Sequence, residues 1–151
     1  MGSELDVSPQ LATYYYEFNT TRPPFNDPRV RKALNLALDK DIIAGKVLGQ
    51  GQRPAWVISQ PDIGGVKLNS PDYASWPLEK RIAEAKKLLN EAGYNDSHPP
   101  EFQACCITLR SRTSGLPLPA SSMWKKNLGV RGEAAKPGVE NDAGHHAHPQ
   151  L

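Results

Sequence analysis

The first patterned stretch, Leu11 to Asn19, is dominated by aromatic and β-branched residues and is bounded by Pro9 before it and Pro23-Pro24 after it, so it reads as a strand. With a period of two, Ala12, Tyr14, Tyr16 and Phe18 share one face and suit a core. Thr13, Tyr15, Glu17 and Asn19 share the other, less apolar face. The period then changes to that of a helix. Asp27 can cap a helix whose first turn holds Pro28 at no hydrogen-bond cost, and Val30, Ala33, Leu34, Ala37 and Leu38 form its apolar stripe.

Asp39 or Asp41 can cap a second helix with Ile42, Ile43, Val47 and Leu48 apolar and Gly49 as a left-handed terminator. From Gln50 to Trp76 the period is lost, and Pro54, Pro61, Gly64, Gly65 and Pro71 mark a long loop of the kind that belongs to a larger body. A third helix begins around Pro77, with Ser75 or Trp76 before it. Leu78, Ile82, Ala85, Leu89 and Ala92 line one face, and Gly93 ends it. Glu84 with Lys87, and Lys87 with Glu91, are spaced for surface pairing. Tyr94 to Pro100 is a turn.

Composition limits how far this order extends. The 151 residues are 38% hydrophobic, and the 14 prolines and 12 glycines thicken toward the C-terminus, so one core reaching to Leu151 is not expected. The net charge of +2 comes from interleaved acids and bases, which argues against nucleic acid as a partner. Cys105 and Cys106 are adjacent and suit neither a loop-closing disulfide nor a metal site. His145, His146 and His148 read as a tail rather than a metal centre, because nothing around them offers a folded support. No nucleophile-elbow motif is present, which excludes a hydrolase of that type, and Gly64-Gly65 lacks the context of a phosphate loop. No apolar run approaches the roughly 20 residues that span a bilayer. Met1 to Glu4 lacks the parts of a signal peptide.

Four motifs, Tyr14-Tyr-Tyr-Glu-Phe-Asn19, Pro24-Phe-Asn-Asp-Pro-Arg-Val-Arg-Lys-Ala-Leu34, Asp39-Lys-Asp-Ile-Ile43 and Glu79 to Tyr94, together resemble the extracytoplasmic solute-binding proteins of peptide ABC transporters. Within that family the pattern looks most like the murein-peptide-binding member, with the oligopeptide-binding member second. The resemblance implies an α/β chain, more closely an α+β lobe fragment from the C-terminal lobe of a two-lobe periplasmic binding protein. It implies a monomer that is not an enzyme and needs no cofactor. Its partners would be a peptide ligand and a membrane permease, and its home the periplasm. The family's ligand contacts fall on the positions of Tyr15 and Glu17, the face that the alternation already separates from the core. Tyr15 would offer a ring edge and hydroxyl, and Glu17 a carboxylate for a basic or amino group. The competing expectation is a truncated gene product without ligand.

The resemblance covers residues 11–97, stops over 98–119, resumes for the helix-like 120–130 and stops again over 131–151. Family-like sequence written in plausible codons and read one base out of register can give Thr108 to Pro119 and Arg131 to Gly144. The two anomalous segments are therefore expected to be frameshifted and poorly ordered, having gained Pro, Gly and Arg at the expense of alternation. Resequencing the gene across both borders should show family-like codons in a neighbouring frame; an intact frame with unrelated codons would contradict the shift.

Overall fold

The computed structural model describes residues 13–16, 18–59, 69–104 and 117–134. Helix α1 spans Pro28–Leu36 and starts as its sequence dictates, with Pro28 in the first turn and the Asp27 carboxylate accepting from the Arg29 backbone N–H at 2.8 Å. Val30, Ala33, Leu34, Leu36, Ala37 and Leu38 are buried, the expected stripe with Leu36 added. Helix α2, Lys40–Ile42, is capped by Asp39, which accepts from the Ile42 N–H at 3.0 Å. It continues as a π-helical turn over Ile43–Leu48 and stops at Gly49, whose φ of 61° is the left-handed region that glycine enters without a Cβ clash.

That π turn corrects one expectation. The Gly49 N–H bonds the Ala44 carbonyl at 3.1 Å, five residues back, so each turn holds more residues than in an α-helix and the apolar positions fall out of the expected stripe. Ala44 becomes the buried residue, and Ile42 and Val47 are exposed. Helix α3, Leu78–Glu91, follows a short 3₁₀ turn at Asp72–Ser75 and ends before Gly93, which adopts a φ of 90°. Ala85 and Leu89 of its stripe are buried, and Arg81 is buried beside them. The ion pairs among the described residues are Asp27–Arg29 and Glu101–Arg131, so the expected Glu84, Lys87 and Glu91 pairing on α3 does not form.

Strand β1, Glu101–Ala104, pairs in parallel with β2, Arg131–Ala134, in the register Glu101 to Arg131. Helix α4, Pro117–Leu128, lies between them in sequence, the order of a βαβ unit. These elements fall partly inside the stretches expected to be poorly ordered. For 101–104, 117–119 and 131–134 that expectation is corrected, because parallel pairing and the onset of α4 supply backbone partners that composition does not reveal. The expected strand from Leu11 to Asn19 is corrected as well. Its described residues are irregular and join neither β1 nor β2, since strand propensity yields a strand only where a neighbour offers a ladder.

The core lies where α1, α3 and α4 meet. Trp124 is at its centre, in ring contact with Tyr16, Phe18 and Phe102 at centroid distances of 5.7, 6.1 and 5.9 Å. Its indole N–H donates to the Leu34 carbonyl at 2.9 Å, and Asn127 donates to the Ala37 carbonyl at 2.8 Å. Helix α4 thus caps the C-terminal end of α1, whose last carbonyls have no partner within their own helix. On the other side, Arg29 grips Asp27 and donates to the Glu91 carbonyl at 2.7 Å, tying the start of α1 to the end of α3.

Trp124→Phe should cost about 1–3 kcal/mol in urea denaturation, because it leaves the buried Leu34 carbonyl without its donor. The Arg29 side chain, then the Arg29 backbone N–H, hold the Asp27 carboxyl below its ordinary 3.8. The stabilisation from Asp27 is therefore present above that value and lost as the pH falls through the lower folded one. Asp27→Asn should make the acid limb of the stability curve shallower, as followed by circular dichroism.

Candidate functional site

The residues before α1 divide by side, as period two requires. Tyr14 meets Tyr16 edge-on at 5.6 Å, Tyr16 meets Trp124, and Phe18 stacks on Phe25 at 4.7 Å. This apolar face is seated on the core cluster, with Tyr16 and Phe18 packed against it. Tyr15 lies between two tyrosines anchored by ring contacts. It is half-buried, and no hydrogen bond or ring contact of its own occupies it among the described residues. A phenol in that state offers both a ring edge and a hydroxyl with donor and acceptor capacity to whatever approaches. The other expected contact, Glu17, lies outside the described residues. The histidines of the tail and both cysteines lie outside them too.

Two residues before Tyr15, Thr13 donates its hydroxyl to the Ile58 carbonyl at 2.8 Å, so the segment is tied to a loop 45 residues away. A second group of side chains gathers against that loop. Lys40 donates to the Ala55 carbonyl at 3.0 Å and lies over the Trp56 ring at 4.3 Å from its centroid. The Arg81 guanidinium lies 4.9 Å from the same centroid and donates to the Leu38 carbonyl at 3.0 Å. Tyr73 meets Trp56 edge-on at 6.1 Å.

Burial first, and repulsion from Arg81 second, push the Lys40 ammonium down to about 8 from its ordinary 10.5. Each cation gains from the electron-rich ring face, yet both give up water there. The buried Arg81 Nε has no hydrogen-bond partner among the described residues. Periodicity signals the burial of Arg81, which stands on the stripe of Ala85 and Leu89 at helical spacing, but not what it meets there. Lys40 and Trp56 carry no comparable signal.

Among the described residues no three His, Cys, Asp or Glu side chains gather as a metal site, and no helix is long and apolar enough to cross a membrane. The groups gathered in these two places are the Tyr15 phenol, the Trp56 and Tyr73 rings, and the Lys40 and Arg81 cations.

The model of the family described as bacterial extracellular solute-binding proteins, family 5 Middle, matches residues 2–131. Over 131 aligned residues the chain is 50% identical to the periplasmic oligopeptide-binding protein of Escherichia coli K12, covering 84% of this chain and 23% of that protein. The solved structure of a periplasmic murein tripeptide binding protein in its unliganded open form superposes with a TM-score of 0.74 at 36% identity, covering 85% of this chain and 25% of the other. The Haemophilus influenzae oligopeptide-binding protein in complex with RPPGFSPFR gives a TM-score of 0.68 at 36% identity, over 84% of this chain and 26% of the other. The chain spans about a quarter of the length of these relatives.

Tyr15→Phe should leave stability within about 0.5 kcal/mol of the parent, because no hydrogen bond is lost. Tyr16→Ala should cost about 2 kcal/mol or more through its contact with Trp124. Paired urea titrations check this; equal losses at the two positions would contradict the division of faces.

Proposed function

Because the chain belongs to the bacterial extracellular solute-binding proteins of family 5, we propose that it supplies part of a peptide-binding lobe serving ABC-transporter uptake of oligopeptides or murein peptides. The fold is that of a fragment of a two-lobe periplasmic binding protein, with an α/β order of elements. The observation that carries the reading is the state of Tyr15, half-buried between neighbours anchored by ring contacts and joined to no partner of its own among the described residues. Tyr15 meets the peptide with its ring edge and hydroxyl. Glu17, two residues on, contributes a carboxylate for a basic or amino group.

In this reading the ligand lies extended between two lobes and is held mainly through its main chain, which explains tolerance of side-chain sequence. Closure about a hinge buries it, and the closed form is presented to the membrane permease. The description of one relative as an unliganded open form is what such a cycle leads one to expect. No bond is made or broken, so the protein is a binding component and not a catalyst. It works as a monomer in the periplasm, the compartment named for its relatives.

The two anomalous segments fit the same proposal as frameshifted parts of a family sequence. For the second segment, support comes from the family match, which ends at residue 131, its first residue; the first segment, 98–119, lies inside that match.

A titration of the chain with a murein tripeptide and with a mixed pool of tri- to pentapeptides, followed by nuclear magnetic resonance of labelled tyrosine, should perturb Tyr15. The perturbation should be weak, since one face supplies only part of the contacts, and Tyr15→Ala should weaken the responses that remain elsewhere. A spectrum unmoved by both ligands would favour the reading of a truncated product without ligand.

A further inference from the structure

The segment that carries Tyr15 is irregular and joins neither β1 nor β2, so no ladder fixes its backbone. Side chains do so instead. Tyr14 and Tyr16 secure it through their ring contacts, which lead to Trp124 in the core. A second tie runs elsewhere: the Thr13 hydroxyl donates to the Ile58 carbonyl at 2.8 Å. Such a tie positions the segment only as well as the loop it reaches is itself held.

The loop from Pro54 to Ile58 is irregular, and none of its residues is buried or packed against the core cluster. Ile58 itself is largely exposed. Trp56 holds the loop. Its ring meets Tyr73 edge-on at 6.1 Å, and Tyr73 packs against the core cluster. Lys40 of α2 lies over the Trp56 ring at 4.3 Å from the centroid and donates to the Ala55 carbonyl at 3.0 Å. Arg81 of α3 lies 4.9 Å from the same centroid. Both contacts of Lys40 suit its ammonium form, because a ring face attracts a cation and a carbonyl accepts from it. Side chains from α2, α3 and the 3₁₀ turn thus fasten the loop two residues before the carbonyl that Thr13 meets.

We propose that Thr13 is a positioning residue for Tyr15: its hydroxyl couples the Tyr15 segment to the loop that Trp56 anchors, and so fixes where the Tyr15 phenol stands. The consequence for ligand rests on the peptide reading of Tyr15; the coupling itself does not.

The part needs a donor at residue 13. Serine retains the hydroxyl, whereas valine keeps nearly the shape of threonine without it. The coupling also has a property that a purely local effect lacks. A change at Lys40 or Trp56, both far from Tyr15 in sequence, reaches Tyr15 only while the hydroxyl of residue 13 is present.

Resonance spectra of the full chain with labelled tyrosine, the Tyr15 signal being assigned by its loss in Tyr15→Phe, test the coupling. Lys40→Met removes both the bond to the Ala55 carbonyl and the cation on the ring, and should move the Tyr15 signal. Trp56→Leu, a second way to release the loop, should move it in the same sense. In the Thr13→Val background both shifts should disappear, and in Thr13→Ser both should return. A Tyr15 signal unmoved by both loop variants, or moved equally with and without a hydroxyl at residue 13, would overturn the proposal. The step to ligand is read separately, by titration with murein tripeptide. Thr13→Val should weaken the tyrosine response about three- to tenfold, and Thr13→Ser should restore it. Equal affinities of the two variants, in a parent that binds, would overturn that step. No response in the parent counts against the peptide reading and the step with it, while the shifts caused by Lys40→Met and Trp56→Leu still decide the coupling.

Discussion

The bond from the Trp124 indole to the Leu34 carbonyl is the constraint on which the rest of the structure depends. It joins residues 90 positions apart and does so at a carbonyl that α1 itself cannot satisfy. With Asn127 on the Ala37 carbonyl beside it, α4 is fixed against the end of α1. The Trp124 ring then becomes the surface on which Tyr16 and Phe18 rest, and through them the segment carrying Tyr15 acquires a defined side. A donor and a large apolar face in one side chain make this possible. No aliphatic residue could do both.

Much of the helical framework was legible in the chain itself. Asp27 before Pro28, and glycines at 49 and 93, act through local backbone geometry, so their meaning does not wait on tertiary contacts. The stripe from Val30 to Leu38 is likewise a matter of angular period. What the chain could not announce were features decided by distant partners. The segment from Leu11 to Asn19 has strand composition, yet its described residues join neither strand of the pair. Glu101–Ala104 and Arg131–Ala134 lie in stretches that lack a strand signature and pair nonetheless.

The candidate site divides in the same way. Alternation placed Tyr15 opposite Tyr14 and Tyr16, and the ring contacts follow that alternation even without a ladder. Period alone could not reveal the meeting of Lys40, Trp56 and Arg81, which come from α2, an irregular loop and α3. A buried arginine on an apolar stripe is read as a solvated charge until its partner carbonyl, here that of Leu38, is known. The π turn after Ile42 hid its own consequence, because an apolar pattern does not specify whether the backbone closes over four residues or five.

Native-state hydrogen exchange of the chain most directly tests the claim that Trp124 makes α1, α3 and α4 one body. The account predicts that the slowest amides of the three helices exchange by a shared opening, and that Trp124→Phe speeds all three together. Acceleration confined to α4, with α1 and α3 unchanged, would contradict it.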